Sequence, residues 1–220
     1  MTPTGWTAGS LLAQPDPVTW VFTGDSVTQG ARHTNGWRDY TELFAERWRW
    51  ELGRGRDTVI NTGVSGRRIG DLREDLDHSV LRHRPDVVVL MLGLNDADLG
   101  QEGLDEFTDG YASVLRRLTQ ESDATLVVQT PNQVAVYDEP RRAVLPEYAE
   151  AVRDLAARFD AVLVDHYRAW TGTQPDDRTE YWISHGCHPN EYGHRALALE
   201  LFSALELDGP EATLTRAFLP

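Results

Sequence analysis

VTWVFTGDSVTQG, residues 18–30, opens with a run of only β-branched and aromatic residues, 18–23, and breaks at Gly24-Asp25. A run that short and that apolar reads as a buried strand, and the polar residues after it as the turn that leaves it. Beyond the turn, residues 36–52 place Tyr40, Leu43, Phe44, Arg47 and Trp48 on an i, i+3, i+4 stripe, which predicts a helix. The alternation continues to the end of the chain. Strands are predicted at 58–61, 87–92, 125–130 and 161–165, and helices at 71–82, 105–121, 145–158 and 191–205. Parallel neighbours need crossover connections, and those crossovers are right-handed. Five apolar strands separated by helices therefore predict an α/β protein with a five-stranded parallel sheet in a three-layer α/β/α sandwich. Residues 18–207 are expected to form one domain, with 1–17 and 208–220 as peripheral arms. In such sheets ligands bind beyond the carboxyl ends of the strands, so the chemistry is expected in the loops that follow them.

Composition removes several alternatives. The 220 residues carry 35 acidic against 21 basic side chains, a formal charge of -14 that disfavours nucleic acid and anionic membrane surfaces. Every basic residue is an arginine, so chemistry that needs a lysine, such as a Schiff base or a P-loop, has no residue to carry it. Cys187 is the single cysteine, which excludes an intrachain disulfide and cysteine-rich zinc sites. Residues 1–17 lack a basic and apolar leader, and no stretch approaches a membrane span, so a cytoplasmic location is expected. The tryptophans gather at Trp37, Trp48 and Trp50 and at Trp170 and Trp182, in the core or around an apolar pocket.

Four loops carry polar residues that could converge. Ser26 follows the first strand, where a hydroxyl on a strand-to-helix turn is exposed for attack beside backbone N–H groups. It also fits a helix N-cap completed by Gln29 in an S-x-x-Q box. The loop at 61–66, with Gly63 and Gly66, allows positive φ and close approach of backbone to a ligand, or makes an ordinary turn. Asn95 in Gly93-Leu94-Asn95-Asp96 offers an amide donor for an oxyanion, or a cap. His188 in Gly186-Cys187-His188-Pro189-Asn190 supplies an imidazole at the start of the last helix, in a structural or a catalytic role.

Together these blocks resemble the SGNH (GDSL-like) hydrolase family, named for a Ser, a Gly, an Asn and a His in successive blocks. Ser26, Gly66 in NxGxSG, Asn95 in GxND and His188 in HPN match in order and approximate spacing, over about residues 18–205. The resemblance implies a flavodoxin-like fold and an esterase. Ser26 would be the nucleophile and His188 the base. The Ser26 N–H, the Gly66 N–H and the Asn95 amide would form the oxyanion hole, with no metal or organic cofactor. A small-molecule ester is the expected partner, most simply a short acyl group such as acetyl on a sugar or other small polar molecule. A catalytically silenced binding module and a lipid or thioester hydrolase are the alternatives.

The chain departs from the family at the triad acid. The family places an aspartate three residues before the histidine, and here that position is His185. A histidine cannot supply the missing negative charge. Either a backbone carbonyl orients His188 in a dyad, or another acid such as Asp165 reaches it, or the position has been altered. A metal cluster of His185, Cys187, His188 and His194 has no tetrahedral spacing to recommend it. Arg67 and Arg68 replace the Asp or Thr that often follows the family's glycine, and either attract an acidic group or are simply solvated.

Overall fold

The structure is a computed structural model and describes residues 7–30, 32–172 and 180–209. Five strands make one all-parallel sheet: β1 (Thr19–Gly24), β2 (Thr58–Asn61), β3 (Val87–Met91), β4 (Thr125–Gln129) and β5 (Val162–Val164), in the order β2-β1-β3-β4-β5. The predicted strands are all present, displaced by a residue at most at their ends. After β1 the chain crosses first to β2 on one side and then to β3 on the other. Their carboxyl ends therefore open a crevice at a topological switch point, and three of the four polar loops leave from those ends.

Trp20 and Phe22, two apart on β1, face the same way and pack on α3 (Tyr40–Glu46) and the turn after it. Trp20 lies 4.7 Å from Phe44 and 4.9 Å from Trp48 between ring centroids, and all three are fully buried. Each such side chain contributes about 2–3 kcal/mol on removal from water, which makes this aromatic cluster a principal anchor of the sheet. The helix predicted at 36–52 is shorter than its stripe. It begins after Asp39, whose carboxylate accepts the Thr41 and Glu42 N–H groups while Glu42 reaches back to the Asp39 N–H. From Arg47 it widens into a π-helical turn, Arg47–Glu51, closed by the Leu52 N–H on the Arg47 carbonyl.

α4 (Ile69–Ser79), α5 (Leu104–Glu121) and α6 (Glu139–Arg158) pack side by side on one face of the sheet. α3 packs on the last helix, Glu191–Ala204, on the other. α6 begins at Glu139, well before the predicted 145, with Pro140 near its start and Pro146 inside it. Proline forfeits one backbone bond there, but Leu145, Tyr148 and Ala149 are fully buried and hold the turn. Several elements were not predicted. A short helix, α1 (Ala8–Leu12), lies within residues 1–17, expected as a peripheral arm, and sets Ala8 and Leu11 against the core. α7 (His166–Gly172) follows β5, and Glu191–Ala204 is thus α8 among the described residues. A hairpin of β6 (Ile183–His185) and β7 (His188–Pro189) precedes α8. No helix among the described residues is long and apolar enough to cross a membrane.

Candidate active site

Asp25 ends the first strand turn and caps α2 (Ser26–Gln29), its Oδ1 accepting the Val27 N–H at 2.9 Å. Ser26 is therefore the first helical residue, whose N–H has no intrahelical partner. The capping box that Ser26 and Gln29 could alternatively have made is not formed. Gln29 Oε1 instead accepts the Ser65 N–H at 2.9 Å and the Ser65 hydroxyl at 2.6 Å, which ties the loop after β2 to α2. Gly63 packs directly on that helix: a Cβ there would lie 2.5 Å from the Gln29 nitrogen. Gly66 adopts φ +80°, a left-handed conformation that an L side chain rarely takes, and its N–H has no hydrogen-bond acceptor among the described residues.

Asn95 caps no helix, because the following 3-10 turn, Ala97–Leu99, has Asp96 at its N-cap position. One amide proton of Asn95 goes to the Arg67 carbonyl at 3.1 Å, and the second remains for a ligand. Arg68 Nε donates to the Asn95 carbonyl at 3.0 Å, so the loops after β2 and β3 are joined directly. Arg67 is not a solvated or substrate-facing group. Its buried guanidinium donates to the Thr62 carbonyl, Asp75 and Ser79. Arg68 is exposed.

The β6–β7 hairpin brings His188 to Ser26, with Oγ and Nε2 2.9 Å apart. On the other side of the ring, Nδ1 lies 3.3 Å from the backbone carbonyl of His185. That carbonyl can only accept, so the proton sits on Nδ1 and Nε2 is free to take one from Ser26. Asp165 takes no part. Its carboxylate is held by Arg153 at 2.7 and 3.0 Å, by the Thr130 hydroxyl and by the Arg168 N–H. It lines a separate cleft of about 620 Å³ with Arg168 and Glu200. The His185 side chain is exposed, and only its backbone serves the imidazole. His194 is buried with Nδ1 accepting the Tyr40 N–H, and no three His, Cys, Asp or Glu among the described residues are placed to hold a metal ion.

Burial, with help from the like charges of His33, His185 and Arg141, lowers His188 to about 4, so it is neutral at pH 7. Burial also raises Asp25 to about 7 and Asp96 to about 6, and pushes the Cys187 thiol up to about 11. Two neighbours escaped the sequence reading. Arg141, in the first turn of α6, pairs with Asp98 and Asp138 and bears on both Asp25 and His188. Its helix turn lies outside the predicted helix, so no periodic signal marked it. His33 stacks on His188 from a loop without secondary structure, and no local signal could have found it.

Residues 22–196 match the model of the GDSL-like Lipase/Acylhydrolase family. The chain is 26% identical over 198 residues to an acetylxylan esterase of Geobacillus stearothermophilus, covering 81% of this chain and 89% of that protein. The crystal structure of the acetylxylan esterase Axe2 from the same organism superposes with a TM-score of 0.71 at 22% identity, over 86% of this chain and 94% of that one. The catalytic mutants of Axe2 are changed at a serine, an aspartate and, three residues on, a histidine. LAE5, an α/β hydrolase enzyme from the metagenome of Lake Arreo, Spain, superposes with a TM-score of 0.71 at 23% identity, over 87% and 97% of the two chains.

Proposed function

The chain belongs to the GDSL-like lipase/acylhydrolase family, and from that premise we propose that it is a serine esterase that removes acetyl groups from a sugar, with Ser26 as nucleophile and His188 as general base. The observation that carries the reading is the 2.9 Å contact between Ser26 Oγ and a His188 Nε2 left unprotonated by the carbonyl on Nδ1. Ser26 Oγ attacks the ester carbonyl carbon as its proton passes to Nε2. The carbonyl electron pair moves onto oxygen, and the Ser26 N–H, the Gly66 N–H and the second Asn95 amide proton are the donors for that oxyanion. His188 returns the proton to the leaving hydroxyl, which departs with the cleaved C–O bond. Water then repeats the sequence on the acyl-enzyme and frees acetate.

The His185 carbonyl enforces the tautomer that a triad aspartate would enforce, but it brings a dipole in place of a full charge. The imidazolium is therefore less stabilised than in a triad, and the enzyme is a dyad. The sugar acetate is supported by the likeness to acetylxylan esterase and by the charged groups beside the site residues, Arg68 on the Asn95 carbonyl and Arg141, paired with Asp98 and Asp138, bearing on Asp25 and His188. The test is hydrolysis of 4-nitrophenyl acetate and of acetylated xylooligosaccharide by the parent and by Ser26→Ala. The variant is expected to fold and to lose activity by roughly a millionfold, the size of loss seen for such a nucleophile. Turnover by Ser26→Ala at the parent rate removes Ser26 from the mechanism, and hydrolysis of the nitrophenyl ester alone removes the sugar.

A further inference from the structure

We infer that His33 is a positioning residue for the reaction, its ring stacking on His188 and holding the imidazole plane where a triad carboxylate would otherwise hold it. This rests on the reading of Ser26 and His188 given above. The two imidazoles lie face to face, centroids 3.5 Å apart and planes 12° from parallel. A hydrogen bond from Nδ1 to a carbonyl fixes one edge of a ring but leaves it free to rock about that bond, and a stacked partner removes the rocking. His188 is then constrained three ways: Nε2 by Ser26 Oγ, Nδ1 by the His185 carbonyl, and one face by His33.

His33 is itself placed by the same hairpin that carries His188. The Ser184 hydroxyl lies 3.2 Å from both the His33 and the His188 carbonyls and donates to one at a time, which sets the loop against the hairpin. The loop is bent to present His33 by Arg32 and Asn35 on either side of it, both with positive φ. A stack at this distance would serve an ordinary buried ring equally well, but the ring it covers here is bonded to the nucleophile.

The stack also sets a charge condition. Neutral His33 offers a π face to the imidazolium that forms at His188 in the transition state, and a protonated His33 repels it. Burial and the neighbouring Arg32 and His185 lower the pKa of His33, which keeps it neutral at pH 7. The other groups facing His188 are the exposed His185, Arg141 from α6 with its Asp98 and Asp138 partners, His194 from α8, Ser26 from α2, and the Cys187 thiol 3.8 Å from Nδ1. None of them covers the ring face.

The test compares the parent with His33→Ala and His33→Phe by steady-state hydrolysis of 4-nitrophenyl acetate from pH 5 to pH 9 and by NMR titration of the His188 ring. His33→Phe keeps an aromatic face and removes the titrating group, so its kcat should stay within about threefold of the parent. His33→Ala should lower kcat, not raise KM, by roughly 10- to 100-fold, the range for a misplaced reacting group. In His33→Ala the His188 titration should at the same time move up, because burial and a like charge are both relieved. A more basic imidazole with a lower kcat separates loss of position from loss of basicity. Equal falls in the Ala and Phe variants, a change confined to KM, or an unaltered kcat and titration in His33→Ala each overturn the proposal. Parent protein without turnover, or Ser26→Ala at the parent rate, defeats the esterase reading instead, and the His188 titration still reports whether the stack exists.

Discussion

At position 185 the exposed imidazole has no contact with the His188 nitrogens, and the backbone beneath it accepts the Nδ1 proton. With His188 lowered to about 4, the proposed base stays neutral through most of the acidic range. The acid limb of kcat/KM, which reports the free enzyme's base, should therefore fall near pH 4. A limb near 6.5, the ordinary imidazole value, would mean that His188 is neither buried nor crowded by charge. Replacing His185 with Asp should supply the missing charge, stabilise the imidazolium and raise kcat on an acetate ester about tenfold at pH ~8–9, part of the roughly 10⁴-fold tied to a triad Asp. The same charge raises the pKa of His188. Because the proposed base acts in its neutral form, the acid limb must then move up in pH. Equal or lower kcat in folded His185→Asp would show that a carboxylate at 185 cannot reach Nδ1.

Among the elements, the site depends on how closely the loop after β2 lies against α2. Asn61 Nδ2 donates to the Thr28 carbonyl at 2.6 Å, Gln29 accepts from Ser65, and Gly63 closes the contact against backbone atoms that cannot swing aside. Gly63→Ala should push the loop and α2 apart at a cost of about 1–3 kcal/mol, the usual range for overpacking. The Gly66 N–H and the Ser26 N–H stand on opposite sides of that contact, so kcat should fall as well. Chemical denaturation and steady-state kinetics on the same sample check both, and a variant of parent stability would show that the loop relaxes freely. The early start of α6 acts in the same way at longer range, since the turn gained before Leu145 is the one that carries Arg141 to the site.

For the whole molecule, burial sets opposing titrations. His166 and His194 are held neutral, each lowered to about 3 by desolvation. His166 is paired with Gln129, and its Nδ1 has no partner among the described residues. Unfolded histidine titrates near 6.5, so the stability these groups contribute is complete above that pH and is lost as pH falls toward 3. Asp25 and Asp96, raised by burial, act with the opposite sign: their contribution is present at low pH and is lost as pH rises through about 7 and about 6. His166→Phe should take one proton out of this balance. The slope of unfolding free energy against pH between about pH 4 and pH 6 should then become less positive by about 1.4 kcal/mol per pH unit, measured by urea titration at several pH values. An unchanged slope would show that folded His166 keeps its proton.

The sequence by itself determined the sheet, because a strand buried on both faces must be apolar along its length. Residues 18–23 and 87–92 announce that wherever the rest of the chain goes. It also determined which helices cross over and which four loops hold chemistry-bearing residues, since these follow from order along the chain. The small helix α1, the hairpin β6–β7 and the first turns of α6 left no such trace, being too short for a period or contradicted by a proline. Around the site, the sequence named Ser26, Gly66, Asn95 and His188 and exposed the missing acid at 185. It left open whether a carbonyl or Asp165 replaced that acid. Only the tertiary structure decided this, by turning Asp165 onto Arg153 and folding the hairpin so that the carbonyl of His185 meets Nδ1. Only the tertiary structure laid His33 on the imidazole, 155 residues away along the chain. The reason is physical: a side chain's burial partner is named by its own apolarity, whereas a backbone carbonyl or a ring face is available at nearly every position, and which one is used depends on where the chain returns.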